Sequence, residues 1–411
     1  MTARFCVVAA GWIVSIVAVV QLVAASSAGA QDQFQTRAGV PLFAVDPNWP
    51  RLPDKWAIGQ VGGIAVDGQD HVWVSQRPTS LDSQDLLAEQ DPPRADCCTK
   101  APPILEFDES GNFIRGWGGP GAAYEWTVPT GPATRAPGDG RAENAEHGVY
   151  VDHRGNVWVG GNSSGDHQIL KFTREGKFLL QIGRRGQSKG SNDTVNVNRS
   201  AGYLVDPKTN ELFVADGYGN RRVIVFDAET GAYKRHWGAY GKRPDDASKP
   251  APRDETAPPP QQFNVVHGLA LSRDGYLYVA DRGNNRIQVF RTDGTFVKEA
   301  FIKRGSGGPG TAFGAALSAD SQQRFLYVAD GSNGHVVIMD RSTLAVIGQI
   351  GRIGRASGRF YHLHSIATDS KGNIYTGESL GYRVQKFVYK GLSRAATAPR
   401  ASRSIGGQGT R

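Results

Sequence analysis

Cysteine is nearly absent from this 411-residue chain, which has three. Cys6 lies in the N-terminal apolar stretch, and Cys97 and Cys98 are adjacent. That count excludes a disulfide framework, and two neighbouring thiols lack the spacing of a zinc knuckle. A vicinal pair can close a strained ring, bind a soft metal or sit in a loop; a structural role is expected, with the redox state left open. Long apolar runs are equally scarce. One extends from Phe5 to about Ala25, and no other segment reaches the roughly 20 residues that span a bilayer. It follows Arg4 and leads to Ala28-Gly29-Ala30 just before Gln31, so residues 1–30 read as a cleaved signal peptide. No cysteine follows the run in a lipobox position, which argues against a lipid anchor. The mature protein is expected to be exported, periplasmic or extracellular, without stable membrane insertion. A sustained helical period is also missing, which argues against helical architectures.

Charge is unbalanced, with a formal net charge of +8. Part of it falls in residues 391–411, a tail with few large apolar residues that is expected to be disordered. A basic balance is compatible with nucleic acid, but export argues against that partner. An anionic small molecule, peptide or envelope surface fits better.

What the chain has in quantity is glycine, 52 residues, and a repeated grammar. Six segments each read strand, Asp/Gly turn, strand, loop, strand, turn, strand. Examples are HGVYVDHRGNVWVGGN with HQILKFTREGKFLLQIG, and HGLALSRDGYLYVADRGNNRIQVFRTDGTFVKEAFI. Apolar residues alternate or run in fours and fives between turn signals, which is strand patterning. The stretch VADRGNNRIQVF in the fourth segment closely resembles the NHL repeat. Six four-stranded units in series predict an all-β, six-bladed propeller over residues 40–390. The sixth unit lacks a fourth strand of its own, and Pro41–Val45 is expected to supply it, leaving no raw edge. Recurrent Asp67, Asp152, Asp206, Asp216, Asp281 and Asp330 read as turn-formers.

Three insertions interrupt the spacing. They run from Pro78 to Pro103, from Gly118 to Glu146 and from Tyr240 to Gln262. Long loops on a propeller rim are lids or partner surfaces, so a protein partner is possible there. The first two contain Trp, Tyr and Leu and suit a lid; the third, proline-rich and charged, is expected to extend into solvent.

Histidine placement is the most informative feature. His147, His267 and His364 each sit at or just before the first strand of units two, four and six. The matching positions in units one, three and five are Gly62, Ala201 and Phe313. Equivalent positions on alternate blades of six lie about 120° apart, so the three imidazoles should converge at one end of the channel. Three neutral imidazoles with an open fourth position form the pattern of a catalytic zinc site. His71, His153, His167, His236 and His335 lack this register. His362 is near enough to reach the site but lies outside the repeat position. Arg77 ends the second strand of unit one, and Tyr218 follows the second strand of unit three, on the same rim. A cation there suits an anionic substrate, and a phenol beside a metal is a candidate general base.

Together these residues resemble the peptidyl-α-hydroxyglycine α-amidating lyase family, six-bladed propellers with a three-histidine zinc site. The resemblance covers nearly the whole propeller and keeps blade order. It rests on EHGV at His147, VVHGLAL at His267, HLHSI at His364, ADGYGNRR at Tyr218 and SQRPT at Arg77. It implies that zinc (Zn2+) binds a substrate α-hydroxyl, that Tyr218 takes its proton and that Arg77 orients the substrate. The carbon–nitrogen bond would then cleave to an amide and glyoxylate. It also implies a structural calcium (Ca2+) site using the carbonyls of Ile64 and Val149. The chain departs from the family at Ser365, where that calcium site has Asp, and at Gly219, where one of a cysteine pair would stand. It departs again at His362, which replaces Met. The competing reading is a non-catalytic exported NHL propeller that binds a protein, peptide or glycan through its loop-rich rim. A propeller lactonase is a third, disfavoured because the channel-facing positions offer histidine rather than carboxylate.

Overall fold

The computed structural model describes residues 38–128 and 146–394. The signal peptide read at 1–30, residues 395–411 of the tail and residues 129–145 of the second insertion lie outside the described residues.

Alternating strand patterns become antiparallel blades because each segment has two apolar faces to bury against its neighbours. Six four-stranded sheets form. Blade one comprises Gln60–Val66, Val72–Arg77, Ile104–Phe107 and Phe113–Trp117. Blades two to five open with Glu146–Val151, Gly202–Asp206, Val266–Leu271 and Gly314–Leu317 as their innermost strands. Blade six comprises Leu363–Thr368, Ile374–Glu378 and Arg383–Leu392, and Pro41–Asp46 joins it as the outermost strand. The N-terminal closure expected from sequence is therefore present, with Phe43 opposite Tyr389 and Val45 opposite Phe387. The last strand continues to Leu392, two residues past the expected end of the propeller. Among the described residues no helix is long and apolar enough to cross a membrane.

The core lies between blades. Trp73, Trp158 and Tyr375 are fully buried on the second strands of blades one, two and six. Each bonds the aspartate that opens the preceding turn: Trp73 Nε1 and Trp158 Nε1 donate to Asp67 Oδ2 and Asp152 Oδ2, and the Tyr375 hydroxyl to Asp369 Oδ2, all at 3.0 Å. The recurrent aspartates are turn-formers as expected, and they also give buried aromatic rings a polar partner. Around the axis the inner strands approach so closely that side chains must be absent. A Cβ on Gly62 would lie 2.8 Å from the His147 backbone, and one on Gly63 2.6 Å from the His147 carbonyl.

Of the readings left open for Cys97 and Cys98, the structure has the closed ring: the two are joined as a vicinal disulfide. The first insertion is pinned to its blade by the pairing of Thr99–Lys100 with Trp56–Ala57. The third insertion is largely exposed, as expected, but it is tied to its neighbours. Arg253 donates to the carbonyls of Gly283 and Gly308 at 2.7 and 2.6 Å, Arg304 to Pro258 O at 2.8 Å, and Gly305 N to Glu255 Oε1 at 2.9 Å. Charged side chains meeting neighbouring backbone supply the anchorage that its composition cannot supply through an apolar core.

Candidate metal centre

His147, His267 and His364 meet on the axis. Their side chains are 1%, 4% and 3% exposed, which places them inside the channel mouth. Ring centroids stand 4.9, 4.9 and 4.7 Å apart, an almost equilateral triangle. One ligand nitrogen from each lies within 4.8 Å of the others. The orientation of two rings is fixed by the next occupied repeat position around the propeller. His147 Nδ1 bonds Ala201 O at 2.9 Å, and His267 Nδ1 bonds Phe313 O at 2.6 Å. A carbonyl only accepts, so both Nδ1 atoms carry protons and both Nε2 atoms present lone pairs. Among the described residues, His364 Nδ1 is buried without a hydrogen-bond partner. Burial first, then neighbouring imidazoles and the Arg77 and Arg282 cations, hold the imidazoles well below their ordinary pKa. They are neutral at pH 7, the form that ligates metal.

The Tyr218 hydroxyl stands 3.1 Å from His147 Nε2 and 3.2 Å from His267 Nε2. Arg282 donates to the same phenol oxygen at 2.8 Å. The phenol has one proton, so it serves one of the two imidazole lone pairs and leaves the other without a partner. Converging, fully buried lone pairs in excess of available protons fit a bound cation, and a set of neutral nitrogens suits zinc or a neighbouring divalent ion. Tyr218 follows the strand Glu211–Asp216. Gly219 N donates to Asn198 O at 3.0 Å, and a Cβ on Gly219 would stand 2.1 Å from Asn198 Oδ1. A backbone hydrogen bond thus pins this loop at the position where the resembled family has a cysteine.

Arg77 is buried and turned inward. It donates to Glu146 O at 2.7 Å, Gln60 Oε1 at 2.8 Å and Asn162 Oδ1 at 3.3 Å. Burial pushes its pKa down from the ordinary value. Burial also pushes the Glu146 carboxyl up to about 7, against its hydrogen bonds and the pull of Arg77. His362 bonds Ser379 Oγ through Nδ1 at 2.6 Å, stacks on His364 at 6.3 Å, and is pushed down to about 4 by burial and the two arginines. It lies outside the three-histidine ligand cluster.

The structure therefore brings together all five residues proposed for catalysis and zinc. It adds Arg282, Asn162 and Ser379, which sequence reading missed. A signal for them existed: aligned by strand pairing, one repeat position carries Arg77, Asn162, Gly217, Arg282, Gly331 and Ser379 in successive blades. Arg77 and Arg282 occupy that position on opposite blades.

Ile64 and Val149 line the channel beyond the histidines, a cavity of about 200 Å³ that also touches Ser365. Its described lining has no carboxylate. Carbonyls and a hydroxyl alone do not fit a calcium site, which draws on carboxylate oxygens, and no role is assigned to that ion. A second cluster, Asp67, His71 and Glu106, already has its cation. Arg174 donates to Asp67 Oδ2 at 2.7 Å and through Nε to Glu106 Oε1 at 3.0 Å.

Fold and site define a six-bladed NHL-repeat propeller with three inward histidines on alternate blades. The NHL repeat family matches residues 263–290. The chain is 28% identical over 361 residues to peptidyl-glycine alpha-amidating monooxygenase B of Xenopus laevis, covering 83% of this chain and 35% of that protein. It thus spans about a third of that relative's length. It is 30% identical over 146 residues to a probable peptidyl-alpha-hydroxyglycine alpha-amidating lyase of Caenorhabditis elegans, covering 35% of this chain and 36% of that one. Human NHL repeat-containing protein 3 is 24% identical and covers 84% of each chain. The chain is an NHL-repeat propeller that resembles the amidating lyases, as its motifs imply.

Proposed function

We propose that this protein is an exported, metal-dependent carbon–nitrogen lyase that converts an N-acyl-α-hydroxyglycine to an amide and glyoxylate. The observation that carries the reading is the Tyr218 hydroxyl standing between two neutral imidazoles of a buried three-histidine cluster, with Arg282 on its oxygen. A divalent ion, zinc in the first instance, held by His147, His267 and His364 would act as a Lewis acid toward the substrate's α-hydroxyl. With the ion on the three imidazoles and its own proton released to solvent, Tyr218 would take the hydroxyl proton. As the C–N bond breaks, the carbinol carbon becomes the aldehyde of glyoxylate, and the nitrogen leaves with the bonding pair. Tyr218 then returns the proton to that nitrogen, giving the amide. Arg77, fixed by Gln60, Asn162 and the Glu146 carbonyl, and Arg282 supply positive charge for the substrate carboxylate.

The test is glyoxylate release from N-acetyl-α-hydroxyglycine by chelator-treated protein before and after zinc is returned. Metal-dependent release well above the uncatalysed rate is expected. Release no faster than in buffer, from protein shown to contain metal, sinks the reading. The likeness to human NHL repeat-containing protein 3 across most of both chains favours a second reading, a propeller that binds a partner through its rim.

A further inference from the structure

Three arginines surround Tyr218, and the lyase reading uses two of them. Arg199 is the third. It comes from the connection that enters blade three, and its guanidinium carbon lies 5.7 Å from the Tyr218 ring centre, against 5.5 Å for Arg282. Its Nε donates to Asn162 O at 2.9 Å, while Asn162 Oδ1 accepts from Arg77. One residue therefore holds two guanidiniums side by side. The Arg199 backbone adopts φ 60°, and its amide donates to Asp166 O at 2.7 Å. A non-glycine residue in the left-handed region is uncommon and needs support from its surroundings, so the position of this side chain is built in.

None of Arg77, Arg199 and Arg282 forms a salt bridge with a carboxylate of the described residues, although Arg222 and Arg286 of neighbouring strands each do so. Guanidiniums that are buried, as in Arg77, or half-buried, as in Arg199 and Arg282, and that lack a salt-bridged carboxylate are suited to an anion from outside. One carboxylate of an α-hydroxyglycine can occupy Arg77 and Arg282, whose charges act on His147 and His267. Arg282 reaches the Tyr218 hydroxyl, whereas Arg199 lies against the Tyr218 ring and is tied to Asn162 O. Arg199 is therefore placed to meet a more distant part of the substrate.

We propose that Arg199 is a specificity-determining residue, and that the substrate carries a second anionic group on its acyl portion. This inference rests on the lyase reading for the first carboxylate and deepens it by defining the substrate as a dianion. The guanidinium would bind the second carboxylate by charge-assisted hydrogen bonds through its terminal nitrogens, which make no hydrogen bond among the described residues. Arg199 takes no part in bond cleavage.

The test compares N-succinyl-α-hydroxyglycine with N-acetyl-α-hydroxyglycine as substrates of wild type, Arg199→Gln and Arg199→Lys. In parallel, calorimetry measures binding of the unreactive N-succinylglycine and N-acetylglycine. A charge-assisted hydrogen bond is worth about 10- to 100-fold in kcat/KM. Wild type should prefer the succinyl compound by that factor. Arg199→Gln, which keeps a donor for Asn162 O, should erase the preference, and Arg199→Lys should retain part of it. Equal treatment of both substrates by wild type, or an equal loss on both in Arg199→Gln, overturns the proposal. If neither substrate turns over while N-succinylglycine binds tightly and only with Arg199 present, the dianion site stands and the lyase reading falls.

Discussion

Replacing Tyr218 with phenylalanine is expected to lower kcat for glyoxylate release by about 10²- to 10⁴-fold, the usual contribution of a positioned acid–base group, with the bound metal retained. The substitution is narrow. The ring keeps its edge contacts with His147 and His267 at 5.1 and 5.6 Å, and the Arg282 guanidinium still faces it at 5.5 Å. Only the hydroxyl is lost, and with it the one group among the described residues within hydrogen-bond reach of both Nε2 atoms. Steady-state kinetics beside elemental analysis of the same sample separates chemistry from metal loss. A Tyr218→Phe protein with full metal and kcat within about threefold of wild type removes Tyr218 from the mechanism.

Asp216→Ala is expected to cost about 3–5 kcal/mol of stability, because it leaves Arg222 as an uncompensated buried cation. Both side chains of the pair are 0% exposed. Asp216 Oδ2 accepts from Arg222 Nε at 2.8 Å and Asn220 at 2.7 Å, and Oδ1 accepts from Asn198 N at 2.8 Å. Burial nevertheless pushes this carboxyl above its ordinary pKa against the pull of Arg222. Keeping the pair therefore adds little net stability, whereas breaking it is expensive. The partners of Asp216 flank Tyr218, so catalysis should fall as well. The comparison is Asp274→Ala, which removes the 50% exposed partner of Arg341 and should cost no more than about 1 kcal/mol. Denaturant midpoints for the two variants decide the matter. Equal losses would contradict the assignment of Asp216 as a buried structural charge.

Much of this molecule was legible in its sequence because a propeller repeats itself. The histidine column was readable because His147, His267 and His364 break a position otherwise held by Gly62, Ala201 and Phe313. Closure by the N-terminal strand followed from counting strands in the last unit. Arg282 escaped notice because it sits in VADRGNN, where it reads as ordinary repeat sequence. Its equivalence to Arg77 appears only when strand pairing aligns the columns. The role of Arg199 and the anchorage of the third insertion were not legible, because connecting loops are positioned by contacts such as Arg199 with Asn162 and Arg253 with Gly283. Those contacts have no period. The Ile64–Val149 calcium expectation came from resemblance alone, and the cavity lining there lacks the carboxylate such an ion draws on.

The most direct test of the central claim is metal content. Elemental analysis of the purified protein, after equilibration with zinc and removal of excess, is to be set beside the His147→Ala/His267→Ala/His364→Ala variant. About one ion per chain in wild type and none in the variant is the predicted result. A folded wild type that stays metal-free under zinc challenge would contradict the account and leave a binding propeller in its place.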